Sequence, residues 1–159
     1  MTGSHVPPHL AETAVSRSGW TKVVLIGSLR FYEKMLEIYE EFGRSDVHGL
    51  VPWPYFRDPA NPRLYDAFWE TRAQDISERH NTETHLIRIS MADIAYVVNP
   101  GGYVGTNSAI DIGYACGKNL RVYAMEQPSD TGINFLIDSV KTPAEIAALA
   151  RELRRRVKH

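Results

Sequence analysis

Asp111 has the clearest claim to chemistry in this chain. It stands in Ile110-Asp111-Ile112-Gly113-Tyr114-Ala115, shortly after Asn99-Pro100-Gly101-Gly102-Tyr103 and the polar residues Thr106, Asn107 and Ser108. A carboxylate on a helix that faces a cleft can attack the anomeric carbon of a sugar, or stabilise the oxocarbenium ion formed there. It can equally serve the helix alone, since the N-terminal half favours negative charge. His85 is the second candidate: an imidazole of ordinary pKa about 6.5 suits proton transfer at neutral pH. As a lone histidine it can also be only a half-buried structural residue. The third candidate is Gly27-Ser28-Leu29-Arg30. Backbone N–H groups, a hydroxyl and a guanidinium at a helix start make a phosphate site, with Arg30 binding bidentately. Against that stands a plainer role, Ser28 capping the helix and Arg30 solvated.

These residues need a scaffold that brings distant turns to one edge. Residues 22–27, Lys22-Val-Val-Leu-Ile-Gly27, hold a continuous run of Val, Leu and Ile, which predicts a strand covered on both faces. A helix follows over about 31–43, with Tyr32, Met35, Leu36, Tyr39 and Phe42 at helical spacing and Gly43 at its end. A second strand near 47–53 carries Gly49 and Pro52, which places it toward a sheet edge. Residues 53–62 are a loop dense in Pro and aromatic side chains, suited to packing on the sheet or to stacking on a base. Residues 63–92 read as helical with a break near Asn81-Thr82; Leu64, Phe68, Ile76, Leu86 and Ile89 face inward. Strands are expected at 94–98 and 119–125, and a short fifth at 135–140, with a helix at about 108–116 between the first two. Thr142-Pro143-Ala144-Glu145 starts a last helix, with Ile146, Leu149, Leu153 and Val157 as its apolar stripe.

Strands alternating with helices predict an α/β fold, a flavodoxin/Rossmann-like three-layer domain with a mostly parallel five-stranded sheet. Residues 1–20 are expected to be a flexible arm and 21–159 a single domain. The 159 residues, 43% hydrophobic and 23% charged, suit one globular domain. A net charge of -1 gives no basic field for a nucleic-acid polymer. No apolar run is long enough for a bilayer, and residues 1–20 lack the pattern of a secretory signal, so a cytoplasmic protein without membrane contact is expected. One cysteine, Cys116, excludes an intrachain disulfide, and His80 and His85 are not at a zinc-site spacing, so no metal is expected.

Taken in order, these features resemble the nucleoside 2-deoxyribosyltransferase-like superfamily, and within it the nucleoside 5′-monophosphate N-glycosidases. The residues that carry the resemblance are Gly27-Ser28-Leu29-Arg30, Ala92-Asp93, Val97-Val98-Asn99, Ile110 to Ala115, and Gly117-Lys118. The resemblance implies a flavodoxin-like sheet, a homodimer and cleavage of a base–sugar bond without a cofactor. It implies that Asp111 acts as nucleophile or oxocarbenium stabiliser, at a position where the family usually has Glu. It places His85 where an Asp often assists as acid or base. Gly27, Ser28 and Arg30 would hold a 5′-phosphate. Asn99, Gly102, Tyr103, Thr106 and Asn107 would line the sugar site. Asp is shorter than Glu by one methylene, about an ångström, a misplacement that can cost around 10²-fold in rate. Pro100-Gly101-Gly102-Tyr103-Val104-Gly105-Thr106 also resembles, with one extra residue, the Pro-Gly-Gly-x-Gly-Thr turn of cytokinin-activating phosphoribohydrolases, whose chemistry is again N-glycosidic.

The expectation is therefore an N-glycosidase acting on a nucleoside 5′-monophosphate or nucleoside. Its rivals are a nucleoside 2-deoxyribosyltransferase and a catalytically inactive nucleotide-binding module. The small-molecule partner is a nucleoside or nucleotide.

Overall fold

The computed structural model describes residues 19–52 and 74–157, including side chains except those of 74–81 and 157. The expected flexible arm, apart from its last two residues, and the loop at 53–62 lie outside the described residues, as do Leu64, Phe68 and the side chain of Ile76. Among the described residues the chain forms β1 (Lys22–Ile26), a 3₁₀ turn (Leu29–Phe31), α1 (Tyr32–Arg44), β2 (His48–Leu50), α2 (Gln74–Met91) and β3 (Ile94–Val97). A second 3₁₀ turn (Pro100–Gly102) leads to α3 (Thr106–Gly117), β4 (Arg121–Ala124), α4 (Thr131–Asn134), β5 (Ser139–Val140) and α5 (Pro143–Val157).

The strands pair in the order β2-β1-β3-β4-β5, and every pairing is parallel. A parallel sheet needs both faces covered, and the strand sequences meet that need by alternation of two apolar sets. Val23, Leu25, Ile94, Tyr96 and Val98 pack on one side with α1 and α5 residues such as Met35, Phe42, Ile146 and Ala150. Val24, Ile26, Ala95, Val97, Val122 and Ala124 pack on the other with Ile89 of α2 and Ile112 and Ala115 of α3. The three-layer α/β fold is thus the one the apolar pattern predicts, with β2 at an edge.

Side-chain hydrogen bonds fix the ends of these elements. Lys22 N–H donates to the Asp93 carboxylate at 2.8 Å, so the Ala92-Asp93 pair ties the start of β1 to the start of β3. Thr142 N–H donates to Glu145 and Glu145 N–H to Thr142 Oγ1, the reciprocal cap expected at the start of α5.

Several local expectations change. The helix α2 runs unbroken through Asn81 and Thr82, because Gln74–Met91 contains neither Pro nor Gly and Asn alone costs a helix little. Gly43 lies inside α1, which extends to Arg44; Asp46, at φ 58°, makes the left-handed turn instead. The fifth strand is only Ser139–Val140, because Asp130 caps the short helix α4 by accepting from Ile133 N–H and the chain turns through Phe135. No helix among the described residues is long and apolar enough to cross a membrane.

Candidate active site

The winding of the sheet reverses between β1 and β3, and at such a point the turns beyond the two carboxyl ends diverge and leave a crevice. Here the crevice is a cavity of about 320 Å³. Among the described residues its walls are Gly27, Ser28 and Leu29 beyond β1, Pro52 beyond β2, Thr82 and His85 of α2, Tyr103 and Gly105 beyond β3, and Thr106, Asn107, Ser108, Ile110 and Asp111 of α3. Gly27 is required by the sheet itself: a Cβ there would sit 2.6 Å from the carbonyl oxygen of Val98.

Asp111 lies one turn beyond Ser108 on α3, so both face the cavity. On α2, His85 stands one turn before Ile89, which is in the core, and is itself only 5% exposed. Its Nε2 lies 3.7 Å from Asp111 Oδ2. Among the described residues, neither ring nitrogen of His85 has a hydrogen-bond partner. Burial dominates both ionisations. It pushes the Asp111 carboxyl up to about 7, so this acid changes charge near neutral pH. Burial, helped by the Arg88 guanidinium, pushes His85 down to about 3, so the ring is uncharged across the physiological range. Sequence alone offers His85 as the group with a pKa near neutrality; burial instead moves His85 away from that range and Asp111 toward it.

Arg30 is not a wall of the cavity. Its Nη2 donates to the Tyr103 hydroxyl at 3.2 Å and its guanidinium lies 4.0 Å from the Tyr103 ring centre, while Phe31 packs edge-on at 6.1 Å. The arginine expected on a phosphate thus braces a cavity wall, because the phenol offers it an acceptor and a π face together. Ser28 Oγ accepts from Arg30 N–H at 3.4 Å, the capping role.

Asn99 and Gly102 are also set apart from the cavity, contrary to the expectation that they line the sugar site. Asn99 is 0% exposed; its Nδ2 donates to Glu126 O at 2.8 Å and its Oδ1 accepts from Glu126 N–H at 3.0 Å. Gly101 N–H donates to the Glu126 carboxylate at 2.6 Å, and Ser129 N–H to Gly102 O at 3.0 Å. Gly102 has φ 79°, and a Cβ on it would lie 2.6 Å from Gln127 O. Both residues fasten the loop after β3 to the loop after β4, which fixes where Tyr103 stands.

Of the expected site residues, Gly27, Ser28, His85, Tyr103, Thr106, Asn107 and Asp111 meet at the cavity. Sequence reasoning passed over Thr82 and Pro52 as wall residues. Thr82 precedes His85 by three residues, so an unbroken α2 puts both on one face. Pro52 follows β2 on the same sheet edge. The N-cap of α3 is Gly105, which makes no side-chain cap bond, and the first turn carries no acidic residue. Thr106 and Asn107 therefore offer donors at the cavity wall. Among the described residues no cluster of three or more His, Cys, Asp or Glu is placed to hold a metal ion.

No protein-family model matches the sequence, and no curated protein matches it. Among solved structures, a conserved protein from Enterococcus faecalis V583 superposes with a TM-score of 0.50 at 14% identity, over 84% of this chain and 98% of that one. The likeness is one of fold. A 2-deoxyribosyltransferase from Bacillus psychrosaccharolyticus superposes with a TM-score of 0.49 at 12% identity, over 80% of this chain and 90% of that one.

Proposed function

We propose that this chain cleaves the base–sugar bond of a nucleoside or nucleoside 5′-monophosphate, with Asp111 as the reacting carboxylate. The observation that carries the reading is the buried pair of Asp111 and His85 on one wall of a cavity at the sheet's switch point. The resemblance of Ile110 to Ala115 to the nucleoside 2-deoxyribosyltransferase-like superfamily supports the same assignment.

In its ionised form Asp111 attacks C1′. The glycosidic bond breaks, and the base leaves with the bonding electrons and takes up a proton. Water then attacks C1′ of the glycosyl ester, loses a proton and releases free sugar and the carboxylate. A second base as acceptor in place of water would make the same site a transferase, as the resemblance also allows. His85, buried and uncharged, is a poor store for a proton; its part is to exchange hydrogen bonds with the carboxylate, the ligand or the attacking water. Thr106 and Asn107 N–H groups meet sugar hydroxyls or a phosphate, and Tyr103, braced by Arg30, forms the wall beside them. The reading carries with it a cytoplasmic enzyme that needs no cofactor.

The test is incubation with a panel of nucleosides and 5′-monophosphates, followed by chromatography for free base. Release of base supports the reading; ligand binding without release supports a binding module.

A further inference from the structure

A buried hydrogen-bonding side chain is nearly always paired within a folded protein, and one that is not calls for a reason. Thr21, 6% exposed, donates its hydroxyl to Ala150 O at 2.6 Å, and Asn99 is bound twice to Glu126. Ser90 meets its need inside α2, donating to Ile87 O at 2.6 Å. Among the described residues, His85 and Ser108 differ. Neither nitrogen of the His85 ring is paired there. Ser108 is 3% exposed, and its hydroxyl has no partner among those residues either. Both side chains stand in the wall of the same cavity. His85 comes within 3.7 Å of Asp111, and Ser108 precedes Asp111 by three residues on α3. A hydroxyl buried by the protein, left unpaired by it and set in a cavity wall is placed for what enters the cavity.

The position along α3 says which part of a ligand that is. Side chains three residues apart on a helix lie about 5–6 Å apart at their Cβ atoms. In the glycosidic reading Asp111 meets C1′, and the N–H groups of Thr106 and Asn107 meet the far side of the sugar or its phosphate. Ser108 falls between them, level with the sugar ring rather than the base. A serine hydroxyl both donates and accepts, as a sugar hydroxyl does, so the two are matched. We propose that Ser108 is a specificity-determining residue whose hydroxyl binds a ring hydroxyl of the sugar, at C2′ or C3′. The orientation of the ligand in this assignment rests on the glycosidic reading. A sugar that lacks the hydroxyl leaves Ser108 unpaired and binds less tightly.

Calorimetry in an Asp111→Asn background, which the glycosidic reading renders inert, tests the proposal. The ligands are adenosine, guanosine, cytidine and uridine, each beside its 2′-deoxy and 3′-deoxy counterparts. For at least one base, adding Ser108→Ala should weaken the ribonucleoside about 3- to 10-fold, the size of one neutral hydrogen bond. The loss should vanish with either the 2′-deoxy or the 3′-deoxy counterpart, and which one it is names the hydroxyl. Ser108→Ala by itself should melt no lower than the unaltered protein, because Ala favours a helix over Ser and no internal bond is lost. An equal loss with all three sugars, or no loss with any, overturns the proposal. A lower melting temperature overturns it too, since the hydroxyl would then serve the fold. Base release by the unaltered protein, with Ser108→Ala indifferent to the sugar, would leave the glycosidic reading standing and remove Ser108 from it. A sugar-dependent loss without any base release would sink the glycosidic reading and leave Ser108 as a sugar-binding residue.

Discussion

His85 Nε2 and Asp111 Oδ2 face each other at 3.7 Å across the junction of α2 and α3, and burial moves their ionisations in opposite directions. His85 in the unfolded chain, at about 6.5, binds a proton that the folded ring refuses down to about 3. This lowers stability as pH falls through that range. The folded Asp111 keeps its proton up to about 7, against about 3.8 unfolded, so it lowers stability as pH rises from 3.8 toward 7. Between about pH 4 and 6.5 the two slopes oppose, each amounting to about 1.4 kcal/mol per pH unit for a full proton. Urea midpoints of His85→Gln should therefore fall as pH rises from 4 to 7 relative to the unaltered protein. Those of Asp111→Asn should fall as pH drops from 6.5 to 4. Curves parallel to that of the unaltered protein would contradict the burial of the pair.

Arg30 acts through Tyr103, so its loss should not single out the phosphate. Arg30→Ala removes a stacked, largely exposed cation worth about 0.5–1 kcal/mol. Calorimetry should show a nucleoside and its 5′-monophosphate both weakened, each by about 2- to 5-fold. A loss confined to the monophosphate would instead return Arg30 to the phosphate.

Asn99 is a clamp, and its removal should be felt in stability. Asn99→Ala leaves the N–H and C=O of Glu126 without their side-chain partners in a closed setting, at a cost of about 2–4 kcal/mol. Asn99→Asp sets a fully buried carboxylate against the Glu126 carbonyl oxygen, so it should also lower the melting temperature. An unchanged melting temperature in Asn99→Ala would show that the loops after β3 and β4 do not depend on the clamp.

The homodimer expected from the family resemblance has a candidate surface. Ile87 and Met91 are exposed one turn apart on α2, and Ile110 is exposed on the adjoining α3. Light scattering at micromolar concentration should give twice the chain mass, and Ile87→Glu should bring it toward the monomer. A monomer mass for the unaltered protein would remove the expectation.

Legibility in the sequence followed the length scale of the signal. The strands β1 and β3 are readable because a run such as Val23-Val24-Leu25-Ile26 has few other homes, and the start of α5 because Thr142 and Glu145 bond within one turn. The parallel order then brings the ends of β1 and β3 together, which is why Ser28, His85 and Asp111 meet as the pattern suggested. The partners of Arg30 and Asn99 were not readable. Each depends on a residue far along the chain, Tyr103 and Glu126, and on which way a side chain turns once the loops are placed. The charge states of His85 and Asp111 were hidden for the same reason, since burial is a property of the packed helices.

Release of free base, followed by chromatography on the same nucleoside and monophosphate panel for the unaltered protein and Asp111→Asn, tests the central claim. An amide of the same shape has neither the charge nor the nucleophilicity of the carboxylate, so its effect falls on the transition state. The account predicts that the unaltered protein releases base from at least one member of the panel. It predicts that Asp111→Asn, folded and still binding that member, releases none. Equal rates from the two proteins would contradict it, as would the absence of base from every member with the unaltered protein.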